Sequence, residues 1–388
     1  AETAVSTFTS NSGKFTFEAL LGDITITTNT SFYDLSVETA GNSVSAAATL
    51  DVTRNFTMTA TNTGNFSAAA ALNVNGAFTM ATGNEGNFST GSNTVRVTGV
   101  TDIDADTLMI STGGIFDADG DFNANGAFVT FTGDGTLKLG GNSLGTPDLG
   151  TLNDDAGLAN ISKGTVIYDN QGGDQDIYRN ATRGYFNLEI DNDGQIARMN
   201  NSAELFVFGD LTITTGNLTS ANVDDKLTLV GDFLMNGGEF DPGISSSHEV
   251  AGNWNDAGGT FNPLDATATI TMVGVGTKTI TSKSGNSFNN LSSSGGTYEA
   301  LTIITVNNRL SIGGGFTFDM GDNNGSAGET IISGTLKLTT GQFTASGVTT
   351  VPTPNGAPTT EAPIIGIVLP IPSNPLYIVS ANLLSFHR

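Results

Sequence analysis

The chain has 388 residues, with 50 Gly, 23 Phe, one Trp and no Cys, and it carries a formal charge of −24 at pH 7. Without cysteine there is neither a disulfide nor a thiolate metal site, and the acidity makes nucleic acid and anionic membranes poor partners. No run of ~18 apolar residues is present, so no transmembrane segment is expected.

In chain order, short alternating segments begin at Lys14 to Ile26, where Phe15, Phe17, Ile24 and Ile26 alternate with Lys or Thr. Strands of this kind put apolar residues on one face and Thr or Ser on the other. Ile24 is followed by Phe32 and Leu35, and the same phrase returns as Ile177, Tyr185, Leu188 and as Ile280, Phe288, Leu291. Each copy has a sequel with apolar residues two apart: Asn55 to Met58, Asp210 to Ile213 and Arg309 to Ile312. A finer period lies beneath. Asn55-Phe56 recurs as Ala77-Phe78, and Gly64-Asn65-Phe66 as Gly86-Asn87-Phe88, both after 22 residues. The Ala-rich stretch Ser67 to Leu72 falls inside this period and reads as a small-residue strand. Gly209-Asp210-Leu211 returns as Gly231-Asp232-Phe233 and Gly252-Asn253-Trp254, and Gly135 to Leu139 is repeated letter for letter at Gly334 to Leu338.

One such coil cannot bury its apolar side alone, whereas stacked coils bury a continuous one. The expected fold is therefore all-β, a parallel β-solenoid of right-handed coils with about 22 residues each, built over residues 1–350. At ~4.8 Å per coil this makes roughly 16 coils, and the Phe residues form an interior stack. The segment Gly140 to Gly164 keeps the period least well and is expected to protrude, with Gly321 to Ala327 as a second loop.

Candidate chemistry is sparse. Asp117, Asp119 and Asp121, following Asp102, Asp104 and Asp106, alternate along a tight Gly-containing turn, and alternating carboxylates suit Ca²⁺. Gly120 sits at the fourth position of that run and no Glu closes it at the twelfth, so the competing reading is a solvated corner. The acidic pairs Asp154-Asp155 and Asp224-Asp225 have no accompanying Gly-His-Gly or Arg-x-Lys phrase and read as turn carboxylates. His248, in the turn Ser245-Ser246-Ser247-His248, is expected at the surface. No catalytic residue and no cofactor besides Ca²⁺ is assigned, and the chain is not expected to be an enzyme. Asn55, Asn65, Asn87, Asn217 and Asn290 lie in Asn-x-Ser/Thr triplets, a pattern that a Thr- and Asn-rich solenoid produces by composition.

After Gly347 the character changes. Residues 351–363 form a Pro/Thr-rich linker, and residues 364–388 an apolar strand-like tail outside the repeat register. Its apolar residues, Ile364, Ile365, Ile367, Val368, Leu369, Leu376, Tyr377, Ile378, Val379, Leu383, Leu384 and Phe386, are the assembly candidates. Left free they would aggregate, so they are expected to cap the solenoid or dock on a neighbouring subunit.

The pattern of an Ile, then Phe-x-x-Leu beginning eight positions on, then Gly-Asp-Leu-Thr-Ile resembles the long β-solenoid surface proteins of Bacteroidota. Leu369-Pro370-Ile371 and Leu383-Leu384-Ser385-Phe386 resemble the two halves, separated by an insertion, of the phrase that opens a type IX sorting region in such proteins. The resemblance covers residues 15–345 as repeat style and about the last 20 residues as a motif. It implies a secreted, extracellular or cell-surface protein, and the Ala1-Glu2-Thr3 start fits a leader already removed. The functional expectation is a structural subunit that polymerises with itself into a filament or surface fibre. The alternative is an adhesin for glycans or surfaces, and third comes a polysaccharide-active β-helix enzyme.

Overall fold

The computed structural model describes residues 13–18, 22–141, 147–154, 162–170, 172–178, 184–199, 204–220, 225–263 and 267–312, together with the strand backbones 317–319, 330–332, 335–338, 342–344, 349–350 and 376–378. Among these residues every regular element is a strand and none is a helix. Parallel strands stack as a β-solenoid of about 13 turns, with equivalent residues roughly 21 positions apart. The turns are fewer than the roughly 16 expected, and their length varies: Ile24 lies opposite Val44 and Thr277 opposite Thr297, each 20 positions on. Leu137 lies opposite Val166, 29 positions on, across the Gly140 to Gly164 segment, and Leu310 lies opposite Leu336, 26 positions on. Packing divides the chain into two compact units, Ala1–Ala197 and Arg198–Arg388.

The first unit has three faces. One carries Lys14–Phe17, Asp34–Val37, Phe56–Met58, Phe78–Met80, Thr101–Ile103 and Phe122–Asn123, each parallel to the next. The second runs from Ile24–Ile26 through Phe66–Ser67 and Phe88–Ser89 to Thr151–Asp154. The third runs from Thr30–Phe32 through Leu50–Val52 and Ile115–Ala118 to Asn187–Met199. In that last strand the buried positions change phase at Asp193 (φ 44°) and Gly194 (φ 87°), so the chain turns a corner without leaving the ladder. In the second unit, Glu204–Val207, Lys226–Leu229, Ser247–Val250, Thr269–Met272, Phe288–Ser293 and Ile304–Ile312 form one parallel sheet.

The interior is a ladder of like on like. Phe56 stacks on Phe78 at 5.1 Å between ring centres and Phe66 on Phe88 at 5.4 Å, both pairs within 7° of parallel. The two columns meet edge to face, Phe56 on Phe66 at 4.9 Å and Phe78 on Phe88 at 4.8 Å. Each such pair adds about 0.5–1.5 kcal/mol beyond its buried area. In the second unit Phe233 stacks on the fully buried Trp254 at 4.2 Å. A polar column accompanies the aromatic ones. The Asn62 Nδ2 donates to Asn84 Oδ1 (2.8 Å) and to the Gly64 carbonyl (2.7 Å), while the Thr39 N–H donates to Asn62 Oδ1 (3.0 Å). Buried amides are tolerated there because each hydrogen bond is returned one coil away.

The recurrent Gly-Asx phrase marks a corner where backbones come too close for a side chain. A Cβ on Gly252 would sit 2.1 Å from the Gly231 carbonyl oxygen, and one on Gly231 would sit 2.1 Å from that of Gly209. The following Asx is a clamp: the Asp210 carboxylate accepts from the Asp232 N–H (2.8 Å), Asp232 from the Asn253 N–H (2.8 Å), and Asn253 from the Thr279 N–H (2.9 Å).

Two expectations are corrected. His248 is fully buried, not at the surface, because the strand Ser247–Val250 alternates outward and inward and His248 shares the inward phase of Val250. The Ala-rich stretch is a corner and not a strand: Phe66–Ser67 ends one strand, Ala68 is buried in the bend, and Leu72–Val74 begins the next. Gly321 to Ala327 lies outside the described residues.

Candidate functional site

The calcium reading needs the carboxylates of Asp117, Asp119 and Asp121 to converge. Asp117 lies on the outward face of Ile115–Ala118, in register between Arg96 and Lys138. Asp119 pairs with Arg96 at 2.8 Å, Lys138 Nζ lies 2.7 Å from Asp169, and Asp121 is exposed. Burial is the main cause of a raised Asp117 carboxyl, with Lys138 pulling it back. Among the described residues no group of three or more His, Asp or Glu side chains gathers as a metal site.

The other acidic candidates do not come together either. Asp154 is described as strand backbone, and Asp155 and Asp224 lie outside the described residues. Asp225 is buried and accepts from the Ser220 hydroxyl at 3.3 Å, whereas its neighbour Lys226 turns outward to Glu204 (3.0 Å) and Glu249 (3.2 Å).

His248 has the company of a nucleophilic dyad without its polarity. Its Nδ1 accepts the Leu227 backbone N–H at 3.0 Å, which leaves the proton on Nε2, 2.9 Å from both the Ser246 hydroxyl and the Pro242 carbonyl. Ser246 in turn donates to the Pro242 carbonyl. A ring nitrogen that carries a proton toward Ser246 cannot take one from it. The cluster is a buried corner.

Among the described residues, a groove of about 360 Å³ in the second unit has ligand-like character. Thr267, Thr269, Thr271, Asn290, Leu291, Ser292, Asn308, Arg309 and Ser311 line it, and none of them is acidic. Its outward rows are set by the ladder: Thr269 faces Asn290 and Asn290 faces Arg309, while Thr271 faces Ser292 and Ser292 faces Ser311. The register slips between Phe288 and Asn290, where Ile304–Ile312 carries one more residue than its partner strand. Such a bulge bends the strand and re-aims its side chains; Asn307, Asn308 and Arg309 are consecutively exposed there. Asn308 Nδ2 donates to Asn290 Oδ1 at 2.8 Å, and Asn290 Nδ2 to the Ala268 carbonyl at 3.0 Å, so the amides are held in place. The repeats of the sequence gave no sign of this site, since a bulge is defined by two strands and not by one.

The ladder ends are the other candidate surfaces. Lys14–Phe17, Ile24–Ile26 and Thr30–Phe32 each have a paired neighbour on one side only among the described residues. Phe15, Phe17 and Phe32 cluster beneath that edge, with ring centres 4.8–6.1 Å apart. In the second unit Leu376–Ile378 lies antiparallel to Thr335–Leu338, with Leu376 opposite Leu338 and Ile378 opposite Leu336. Of the assembly candidates, Leu376, Tyr377 and Ile378 are therefore placed on a strand of the same chain. Ile364, Ile365, Ile367, Val368, Leu369, Val379, Leu383, Leu384 and Phe386 lie outside the described residues. No protein-family model, curated protein or solved structure matches the chain.

Proposed function

We propose that this chain is a secreted structural protein, the subunit of a cell-surface filament or fibre that associates through its ladder ends and its C-terminal tail. The observation that supports this reading is the one-sided edge at Lys14–Phe17, and the antiparallel pairing of Leu376–Ile378 on Thr335–Leu338 of the same chain is the precedent for adding a strand to the ladder. A ladder whose other strand pairs among the described residues are parallel accepts a strand from outside its register, as in β-augmentation. The edge at Lys14–Phe17 offers the same unpaired backbone groups, with apolar rings close beneath. A head-to-tail contact between unlike ends does not close and so grows into a polymer. Secretion and surface location rest on the resemblance of the repeat style and of the terminal phrase. The test is electron microscopy of the purified chain over a concentration series, beside a version lacking residues 364–388. Filaments that depend on concentration and are altered by the deletion are expected. Monodisperse monomers in both samples at high concentration would overturn the proposal.

The groove around Asn290 favours a second reading, an adhesin that holds glycans, because hydroxyls and amides in register are the partners that sugar hydroxyls need.

A further inference from the structure

We infer that the groove over Thr269–Met272, Phe288–Ser293 and Ile304–Ile312 binds a saccharide carrying an isolated acidic sugar, with Arg309 receiving the acid group and the flanking hydroxyls and amides receiving the ring hydroxyls. This rests on the second reading above and gives it a ligand class.

Three observations lead there. The first is shape: about 360 Å³ is within the range of small-molecule sites, and it opens where a register slip re-aims three consecutive side chains. The second is chemistry. Outward positions on neighbouring coils lie ~4.8 Å apart, and alternate positions along a strand ~6.6 Å apart. Thr269, Thr271, Asn290, Ser292 and Ser311 therefore form a grid of donors and acceptors, over which a hydroxylated ring finds a partner on either side.

The third is charge. The chain holds 38 acidic residues against 14 basic ones, yet no carboxylate lines the groove. Arg54, Arg96, Lys138 and Lys226 each answer a carboxylate. Arg309, like Lys14, Lys278 and Lys283, makes no ion pair among the described residues, and it alone of these four is exposed in the groove. The nearest register neighbour with a negative charge is Glu249, opposite Thr269–Met272, and it is engaged by Lys226 at 3.2 Å. A guanidinium fork matches a carboxylate in plane. The net charge of −24 opposes a polyanion, so one acidic sugar among neutral ones fits better than a nucleic acid or a fully charged polymer.

The experiment uses the full chain on an array of oligosaccharides, each with a single uronic or sialic acid printed beside its neutral counterpart, with free acetate as competitor. At least one acidic member should bind tenfold or more above its counterpart, and acetate should compete only weakly. Calorimetry with that member should show Arg309→Gln weakening binding about ten- to a hundredfold. Arg309→Lys should recover part of the loss, and Arg96→Gln should leave binding unchanged. Equal loss in Arg96→Gln would reduce the effect to overall charge and overturn the inference. So would binding that ignores Arg309→Gln. Neutral members bound as well as acidic ones would overturn it while leaving the glycan reading standing, and no bound saccharide would end both.

Discussion

Asp256 shows what one residue costs and contributes inside a coil. Its carboxylate is buried, yet it accepts from Trp254 Nε1 (3.0 Å), the Lys283 N–H (2.8 Å) and the Ser282 hydroxyl (3.2 Å). Burial raises the carboxyl above the usual carboxylate range, and these hydrogen bonds pull it back only in part. Because the folded state then holds its proton more tightly than the unfolded chain, Asp256 adds stability at low pH that is lost as the pH rises through its folded value. Asp256→Asn puts an amide N–H where an acceptor is needed and should cost about 1–3 kcal/mol. In urea unfolding that cost should be larger at pH 4 than at pH 7. An equal cost at both values would mean the carboxyl is not perturbed. At this scale the sequence is least legible: the Ser-rich neighbourhood of His248 points to an exposed turn, whereas its spacing of two from Val250 is the signal that puts it inside.

At the level of strands and corners, the recurrent glycines divide into those that the stack requires and those that it does not. A Cβ on Gly120 would lie 2.2 Å from the Gly99 oxygen and 2.5 Å from its carbonyl carbon, both backbone atoms that cannot step aside. A Cβ on Gly22 meets nothing within 4 Å and needs no positive φ. Gly120→Ala should therefore destabilise by about 3 kcal/mol, and Gly22→Ala by less than about 0.5 kcal/mol. Thermal unfolding of the two variants gives the comparison, and similar losses would refute the stacking account. The phrase Gly-Asp-Phe was legible as a repeat. Its purpose was not, because the collision is with a residue one whole coil away.

Over the whole molecule, acidity sets the response to pH. Asp102, Asp106, Asp117, Asp241 and Asp256 all have raised carboxyls, with burial as the largest cause in each. Each is more fully protonated folded than unfolded above the ordinary carboxylate value, so each contribution grows as the pH falls. Lowering the pH also relieves the self-repulsion of a chain at −24. The melting temperature should rise between pH 7.5 and pH 5, and added salt should raise it at pH 7.5 more than at pH 5. A steady fall from pH 7.5 to pH 5 would contradict this.

By itself the sequence determined the parallel solenoid, its near-22-residue coil, the Phe columns and the change of character after Gly347. These are local alternations copied many times, so every copy votes for the same register and the stack averages over errors. Only the tertiary structure decided where the register slips beside Asn290, that Arg309 lines a groove with no carboxylate in it, and that Leu376–Ile378 runs antiparallel on Thr335–Leu338. Each of these is a single event between segments distant in the chain, settled by which strands lie side by side, and one strand's residues do not record its neighbour.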